Sequence, residues 1–258
     1  RIGAVQVPVN TMMTPDDYGY FLNDSRAKAL MVNESLLPIV YQIKGDLPYL
    51  RDLVVIEEGG GAKQPFRQKY RRAPSACKSA PTTKDDVGFW LYSSGSTGFP
   101  KGAIHSQNDP VVCVENYGRG VLGIEENDVT LSAARLFFAY GLGNTNFFPL
   151  SAGACSILYP ERPTPELMYE LLRKHKPTIF FGVPTLYAAM LAFAEKDDAR
   201  TGRKPDPNRT HELSSVRLCI SAGEALPPDV FYRWKERYGL EIVDGLGSTE
   251  MLHIFLSN

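Results

Sequence analysis

The chain has 258 residues, of which 43% are hydrophobic and 22% charged, and its formal net charge is −1. These values are ordinary for a globular protein with a sizeable core, and they give no electrostatic reason to expect binding to nucleic acid or an anionic membrane. No apolar run reaches the roughly 18 to 20 residues that span a bilayer, and no secretory signal is visible. The cytoplasm is therefore the expected compartment.

The first third of the chain predicts strands at 2–7, 27–32 and 53–57 and a helix that begins after Thr14. Thr14 can cap this helix, Pro15 suits its first position, and Asp16 and Asp17 favour its positive end. Residues 58–86 are rich in Gly, Lys and Arg and are expected to form an exposed connection. Its basic run at 69–72 is interpreted as a solvated face.

Residues 93–102 are the most informative segment of the chain. They follow an apolar run at 87–92 that predicts a buried strand. Glycines let a backbone turn its N–H groups toward an anion, hydroxyls add donors, and a lysine adds a point charge. The residues predicted to hold a polyphosphate are Ser93, Ser94, Gly95, Ser96, Thr97, Gly98 and Lys101.

Two alternatives for this loop are weaker. A Walker A loop needs a Gly-Lys pair followed by a hydroxyl, but Lys101 follows Pro100 and precedes Gly102. A flexible Gly/Ser linker is not expected between an apolar strand and the compact residues 103–105. We therefore interpret the segment as a phosphate-binding loop of another kind.

The remainder alternates helices and strands, as expected for an α/β protein with a mainly parallel sheet flanked by helices. The predicted elements are a helix starting at Thr164, strand 178–181, helix 185–195, a surface loop at 197–208, strand 216–221, helix 229–238 and strand 240–243. Cys113, Cys155 and Cys219 lie in apolar runs and are interpreted as small core residues of a protein in a reducing compartment.

Four motifs occur in a fixed order along the chain, at 3–10, 93–102, 221–227 and 244–250. Together they resemble the signature segments of the adenylate-forming superfamily, which includes acyl- and aryl-CoA synthetases. The resemblance implies the fold of that family's large N-terminal domain. It also implies that residues 1–258 are a core fragment of that domain and that the small C-terminal domain, which carries the family's catalytic lysine, is absent.

The resemblance further implies a site for ATP, Mg2+ and coenzyme A. Glu250 is similar to the carboxylate that holds the metal, and Lys101, Thr249 and Glu250 would act in catalysis. Ser248 and Thr249 would bind the reacting phosphate, and residues 222–225 would lie against adenine. The remaining nucleotide contacts implied are Ala222, Gly223, Glu224, Ala225 and Asp244, although an aspartate at a turn is also a common turn residue. A helix-capping role after Ser248 is the alternative for Glu250.

The segment 136–144 occupies the place where this family shapes its acyl pocket, and it contains no acidic residue. A buried substrate ammonium would be left unpaired there, so an amino-acid substrate is not expected. With residues 251–258, the segment resembles the benzoate–CoA ligase branch. On that resemblance the aryl pocket is lined by Ala139, Tyr140, Ala222, Gly247, His253 and Ile254.

Plain core packing is the interpretation for Phe137 and Phe138. His253 is expected to line the pocket without acting as a base, a satisfied core histidine being the alternative. His105 is interpreted as structural because no carboxylate partner is evident in the sequence.

The resulting hypothesis is ATP-dependent activation of benzoate, or a substituted benzoate, to an aroyl-adenylate and then to aroyl-CoA. The expected partners are the aryl acid, ATP and CoA, and binding to nucleic acid or to a membrane is not expected. A homodimer is a further possibility. The alternatives are another acyl- or aryl-CoA synthetase, such as a 4-hydroxybenzoate–CoA ligase, or a non-catalytic nucleotide-binding module.

Overall fold

A computed structural model describes residues 2–56, 71, 73–93, 98–202 and 213–258. The chain divides into two compact units, Arg1–Thr82 and Thr83–Asn258. Predictions for residues 57–70, 72, 94–97 and 203–212 lie outside the described residues. No helix in the described part of the chain is long and apolar enough to cross a membrane.

Two parallel strands and two helices are described in full in the first unit, where residues 57–70 and 72 are not described. Its elements are α1 (Pro15–Asp24), β1 (Ala29–Asn33), a 3-10 turn (Glu34–Leu36), α2 (Leu37–Ile43), a second 3-10 turn (Lys44–Asp46) and β2 (Asp52–Ile56). The predicted cap at Thr14 is confirmed, and the structure adds to it a capping box with Asp17, because each side chain bonds the backbone N–H of the other. β1 and β2 pair with Ala29 opposite Asp52.

The predicted strand at 2–7 is wrong, because only Gln6 makes an isolated bridge there. Gly3 has a φ of +71°, which interrupts an extended backbone. The apolar side chains of Ile2 and Val5 are exposed. Hydrophobic composition therefore suggested a strand that the backbone does not form.

The second unit contains a six-stranded sheet in the order β10-β9-β8-β7-β5-β6 and a separate hairpin of β3 and β4. All neighbouring strands of the sheet are parallel except β9 and β10. The strands are β3 (Val87–Ser93), β4 (Lys101–Ser106), β5 (Val129–Ser132), β6 (Cys155–Ile157), β7 (Ile179–Gly182), β8 (Leu218–Ala222), β9 (Ile242–Gly247) and β10 (Ile254–Ser257).

All but one of the helices described in this unit begin at or next to a proline, the exception being the helix at Ala139–Leu142. The helices are α3 (Asp109–Cys113), α4 (Ala139–Leu142), α5 (Phe148–Ala152), α6 (Pro165–His175), α7 (Pro184–Thr201) and α8 (Pro228–Tyr238). π-helical turns at Val114–Arg119 and Gly143–Phe147 continue α3 and join α4 to α5. The largest core cluster joins α6, α7 and α8 to the sheet through side chains such as Tyr187 and Trp234. The mainly parallel α/β prediction is confirmed.

Two predicted boundaries differ from the structure. The loop expected from residue 197 begins later, because α7 runs to Thr201 and ends at Gly202, whose left-handed backbone caps it. β9 continues through Asp244 to Gly247, although the sequence suggested that it ends at residue 243. In α7 the helical hydrogen bonds, and in β9 the pairing with neighbouring strands, extend the element into residues that have a low intrinsic preference for that structure.

The cysteines are all free, but their burial differs. Cys219 is buried, and burial raises the pKa of its thiol to about 12. Cys113 is half-buried and its pKa is raised to about 11 for the same reason. Cys155 is exposed, so its interpretation as a core residue is wrong.

A buried carboxylate joins the start of β5 to the chain before β8. Asp128 accepts hydrogen bonds from the Arg217 guanidinium at 2.7 and 2.9 Å and from the Thr178 hydroxyl at 2.6 Å. Burial opposes the charged form, but the bonds from Arg217 and Thr178 prevail and lower the pKa of Asp128 below its usual value.

We expect Asp128→Asn to reduce the free energy of unfolding at pH 7 by about 2 kcal/mol, because it leaves a partly buried guanidinium without its counter-ion. A lowered folded-state pKa contributes stability above the unfolded-state value of about 3.9, and this contribution is lost as pH falls through the folded-state pKa. Urea unfolding of both proteins at pH 7 and near pH 3 should therefore show a smaller difference at the lower pH.

Glu115→Gln, in the exposed pair with Arg119, is the control and should change stability by less than about 0.5 kcal/mol. A difference between wild type and Asp128→Asn that does not shrink in acid would contradict the assigned charge interaction.

Candidate active site

The second and third motifs of this unit meet at the carboxyl ends of β8 and β9. These strands are adjacent and parallel, with Ser221 opposite Asp244 and Ala222 opposite Gly245. The loop after β8 bends at Gly223, whose φ is +97°, and Leu226 donates its N–H to Asp244 Oδ2 at 3.3 Å. Open α/β sheets bind ligands at this edge. The predicted adenine segment and the Asp244 strand thus form one surface.

Gly223, Glu224 and Ala225 are exposed at this edge, whereas Ala222 is buried. The second oxygen of Asp244, Oδ1, is buried and has no hydrogen-bond partner among the described residues. Buried carboxylate oxygens are normally satisfied, so this oxygen is open to a donor from a ligand or water. This observation agrees with a nucleotide contact at Asp244.

The catalytic candidates Thr249 and Glu250 lie, with Ser248, on a tight turn between β9 and β10. The Ser248 hydroxyl accepts the N–H of Met251 at 3.2 Å, and Leu252 donates its N–H to the Thr249 carbonyl at 3.1 Å. No helix follows Ser248, so the alternative of a helix-capping Glu250 is wrong. Glu250 is exposed and makes no hydrogen bond or ion pair with the described residues. Its carboxylate is therefore available to a ligand.

The β3–β4 hairpin carries the predicted phosphate loop. Ser93 pairs with Lys101 where the strands separate, and Gly98 has a φ of +131°. Lys101 is exposed, as a residue that meets phosphate must be. The other donors of the loop, Ser94, Gly95, Ser96 and Thr97, lie outside the described residues. The strand before the loop is only partly buried, with Leu91 alone reaching 1% exposure.

An apolar cluster joins this hairpin to the rest of the site. Leu91 from β3 packs with Ala139 and Leu142 of α4 and with Leu252 from the turn that bears Thr249 and Glu250. The strand before the predicted phosphate loop, the predicted acyl segment and the turn that bears Glu250 thus share one buried apolar cluster. The sequence alone did not predict the contact between Leu91 and Leu252, because more than 150 residues separate them.

The hydroxyl of Tyr140 bonds backbone carbonyls of two neighbouring strands, β7 and β8. Its hydroxyl oxygen lies 3.2 Å from the Gly182 carbonyl and 3.3 Å from the Ile220 carbonyl. Burial raises the pKa of the phenol well above its ordinary value, so the group is a neutral donor. The ring is 5.3 Å from the His253 ring and 6.1 Å from Phe181, measured between centroids.

His253 is 2% exposed and lies among aromatic rings. Its ring centroid is 4.6 Å from that of Phe148 and 5.4 Å from that of Tyr117. Burial lowers the pKa of His253 to about 3, outweighing the hydrogen bond to the Tyr140 carbonyl, which acts in the opposite direction. The imidazole is therefore neutral at physiological pH and is not set up to collect a proton.

The remaining predicted pocket residues are near neighbours of these two. Ile254 stands opposite Gly247 across β9 and β10, and it shares a core cluster with Ala222 and Tyr140. Ala139 is buried in the adjoining cluster, whereas Gly247 is exposed. A Cβ on Gly245 would lie 2.5 Å from Ile254 Cδ1, so only glycine admits Ile254 in this position. The six predicted residues therefore belong to one region of the fold.

A separate cavity of about 340 Å3 opens at the ends of β5 and β6. None of the six predicted pocket residues lines it. Its walls include Ser132, Arg135, Leu136, Thr145, Leu158 and Tyr159.

Two interpretations of aromatic side chains are corrected by the structure. Phe138 is 51% exposed and stacks obliquely on Phe137, so plain core packing does not describe it. His105 does have a carboxylate partner, because Asp109 Oδ2 lies 3.1 Å from its Nδ1. The structural role of His105 nevertheless stands, since its ring is buried and stacked on Phe89 at 4.9 Å.

The described residues contain no group of three or more His, Cys, Asp or Glu side chains that could enclose a metal. A single exposed carboxylate at Glu250 still fits Mg2+, because this ion keeps water and takes phosphate oxygens as ligands alongside one or two protein carboxylates. The donor chemistry of the turn therefore suits a metal that arrives with a polyphosphate.

Sequence reasoning included Asn144 in the acyl segment without giving it a role, and it did not identify Ser132 as part of this region. Asn144 is completely buried and bonds both His253 and Ser132. A lone amide at the end of the apolar run 136–144 was the available signal, since buried polar side chains need partners.

Comparison with known proteins agrees with this geometry. A family model described as AMP-binding enzyme matches residues 1–258, and the chain belongs to this family. A benzoate–CoA ligase from Thauera aromatica is 50% identical over 256 residues, which is 99% of this chain and 46% of that protein. A 4-hydroxybenzoate–CoA/benzoate–CoA ligase from Rhodopseudomonas palustris is 45% identical over 258 residues, which is 100% of this chain and 46% of that protein.

Among solved structures, the anthranilate CoA ligase AuaEII in complex with anthranoyl-AMP superposes with a TM-score of 0.87 at 40% identity. The match covers 99% of this chain and 48% of that one. The chain thus spans about half the length of the relatives it matches.

Proposed function

We propose that this chain is the core of the large domain of a longer ATP-dependent aryl acid–CoA ligase whose substrate is benzoate or a substituted benzoate. The observation that carries the proposal is the convergence of Tyr140, Ala222, His253 and Ile254 beside the turn that presents Thr249 and Glu250. The half-length match to the benzoate–CoA ligase and to the 4-hydroxybenzoate–CoA/benzoate–CoA ligase supports the same view.

In the first step a carboxylate oxygen of the aryl acid forms a bond to the α-phosphorus of ATP, and the bond from that phosphorus to the bridging oxygen breaks. Pyrophosphate leaves with the electron pair. Both reactants are anionic, so the site must supply positive charge and hold the oxygen in line. We assign Lys101 and the 93–98 donors to the outgoing phosphates, and Thr249 to the reacting group.

Glu250 would hold Mg2+, which neutralises phosphate charge as it develops in the transition state. Ser248 is already engaged in closing the turn through Met251, and its role would be to keep Thr249 and Glu250 in place. Asp244 and residues 222–225 would bind the nucleoside end of ATP.

In the second step the sulfur of CoA attacks the acyl carbon, the bond to the AMP oxygen breaks, and the thiol proton passes to solvent. AMP leaves as the product. By the family resemblance this step needs the family's small C-terminal domain.

The acid is assigned from the chemistry of the pocket region. Tyr140 and His253 are neutral, and Ala139, Ala222 and Ile254 are apolar, so no described side chain of the predicted pocket would pair with a substrate ammonium. Aromatic and aliphatic faces with few polar groups suit a flat ring. A benzoate that carries a ring hydroxyl is the second candidate substrate, because the Rhodopseudomonas palustris relative is a 4-hydroxybenzoate–CoA/benzoate–CoA ligase.

The test is pyrophosphate release by the full-length enzyme with ATP and a panel of acids, with and without CoA. We expect release with benzoate, an increase on addition of CoA, and little release with amino acids. Release with aliphatic acids but not with benzoate would overturn the pocket assignment and keep the reaction. ATP binding without release for any acid would support a non-catalytic nucleotide-binding module.

A cytoplasmic location is part of the proposal, because all four cysteines are free and ATP and CoA are intracellular substrates.

A further inference from the structure

A buried polar path runs from the turn that bears Glu250 to the end of β5. His253 Nε2 lies 2.9 Å from Asn144 Oδ1, and Asn144 Nδ2 lies 3.2 Å from Ser132 Oγ. The Ser132 hydroxyl in turn donates to the Ala134 carbonyl at 3.3 Å. Asn144 is 0% exposed, so these bonds form without competition from solvent.

The direction of every bond in this path follows from one acceptor. The Tyr140 carbonyl lies 3.2 Å from His253 Nε2 and can only accept, so Nε2 carries the proton. Asn144 must then present its oxygen to Nε2 and its amide hydrogens to Ser132. His253 Nδ1 is left as a bare acceptor, and it has no partner among the described residues.

Close packing holds the same ring in place. A Cβ on Gly143 would lie 2.4 Å from His253 Cδ2, so the π-helical turn approaches the imidazole as closely as glycine allows. The ring edge-packs on Phe148. His253 directly follows Leu252, which is buried and has a φ of +66°, so the last two residues of the 248–253 turn are both anchored.

We propose that Asn144 is a positioning residue: its amide oxygen accepts a second hydrogen bond from the Nε2 proton that the Tyr140 carbonyl requires, which holds the His253 ring in place and thereby fixes the turn that carries Thr249 and Glu250. Asn144 does not contact substrate in this role. The kinetic consequence rests on the proposed function, whereas the protonation of His253 does not. Asn144→Leu keeps the approximate volume of the side chain and removes both of its hydrogen bonds.

The experiment uses the full-length enzyme labelled with 15N-histidine, with the His253 signals identified by their loss in His253→Gln. Wild type should show a protonated Nε2 and a bare Nδ1 between about pH 6 and 8, where a free histidine would titrate. Asn144→Leu should keep the proton on Nε2, which still donates to the Tyr140 carbonyl, and should shift the Nε2 resonance, because the shorter of its two hydrogen bonds is lost. It should also lower kcat for benzoate-dependent pyrophosphate release by about 10- to 100-fold, because small misplacements of reacting groups have effects of that size. The KM for ATP should stay within about twofold.

Asn144→Asp is the rescue variant, because a carboxylate still accepts from Nε2. It should keep Nε2 protonated and restore most of kcat, and it also serves if Asn144→Leu does not fold. A wild-type spectrum with the proton on Nδ1, or an Asn144→Leu protein with a lower melting temperature and unchanged kcat, would overturn the proposal. Wild-type enzyme inactive with every aryl acid would instead contradict the proposed function, and the nitrogen spectra would still decide the state of His253.

Discussion

Replacing Glu250 by Gln should reduce the rate of benzoate-dependent pyrophosphate release by about 100-fold or more, because a metal held at developing phosphate charge contributes several kcal/mol. The amide keeps the shape of the side chain and removes its charge. Glu250 is exposed and bonds none of the described residues, so folding should be unaffected. Steady-state rates at increasing Mg2+ would measure the effect, and partial recovery at high Mg2+ is expected.

Glu236→Gln is the matched control, because Glu236 is an exposed acid on α8 and belongs to none of the four motifs. It should leave the rate unchanged. Equal rates for Glu250→Gln and wild type at limiting Mg2+ would contradict the assignment of Glu250 as a metal ligand.

Replacing Gly141 by Ala should lower the free energy of unfolding by about 3 kcal/mol. A Cβ at this position would lie 2.0 Å from the Arg135 carbonyl oxygen and 2.6 Å from that of Ala134. Both obstacles are backbone atoms, so relief requires moving the chain rather than turning a side chain, and overpacking of this kind has a large penalty. Because Gly141 lies in α4 beside Tyr140, we also expect weaker binding of the aryl acid. Urea unfolding and a benzoate titration would measure the two effects.

Gly19→Ala is the control for that experiment. Gly19 is inside α1, and no atom lies within 4 Å of the position of its Cβ. Alanine there should raise helix stability by about 0.5 to 1 kcal/mol. A Gly141→Ala protein as stable as Gly19→Ala would contradict the described approach of Arg135.

The elements specified by short-range signals were predicted well. The cap of α1 at Thr14, the start of α6 after Thr164 and the end of the predicted helix 229–238 at Gly239 all agree with the structure. The first two depend on a capping side chain and the third on a left-handed glycine, in each case within a few residues of the backbone group that is bonded, so the local sequence contains the whole interaction. The order of the four motifs likewise indicated the family, and the alternation of helices and strands indicated the mainly parallel sheet.

Predictions that depended on surroundings were less successful. The apolar run at 2–7 does not form a strand, Phe138 and Cys155 are exposed, and α7 continues beyond the expected loop boundary. A hydrophobic side chain is more stable when buried, but its residue type does not show whether another part of the fold packs against it. The same limit explains why Asp109 was not recognised as the partner of His105, although it lies only four residues away.

The sequence by itself thus determined the chemistry that the site can hold: the loop donors, the Glu250 turn, and an acyl segment without an acid. The tertiary structure alone decided how these parts support one another, through Leu91 packing on Leu252 and through the path from His253 to Asn144 and Ser132. These contacts join residues that are 12 to more than 150 positions apart in the chain. Their geometry depends on strand order and on close approaches of the backbone, which no local pattern of residues encodes.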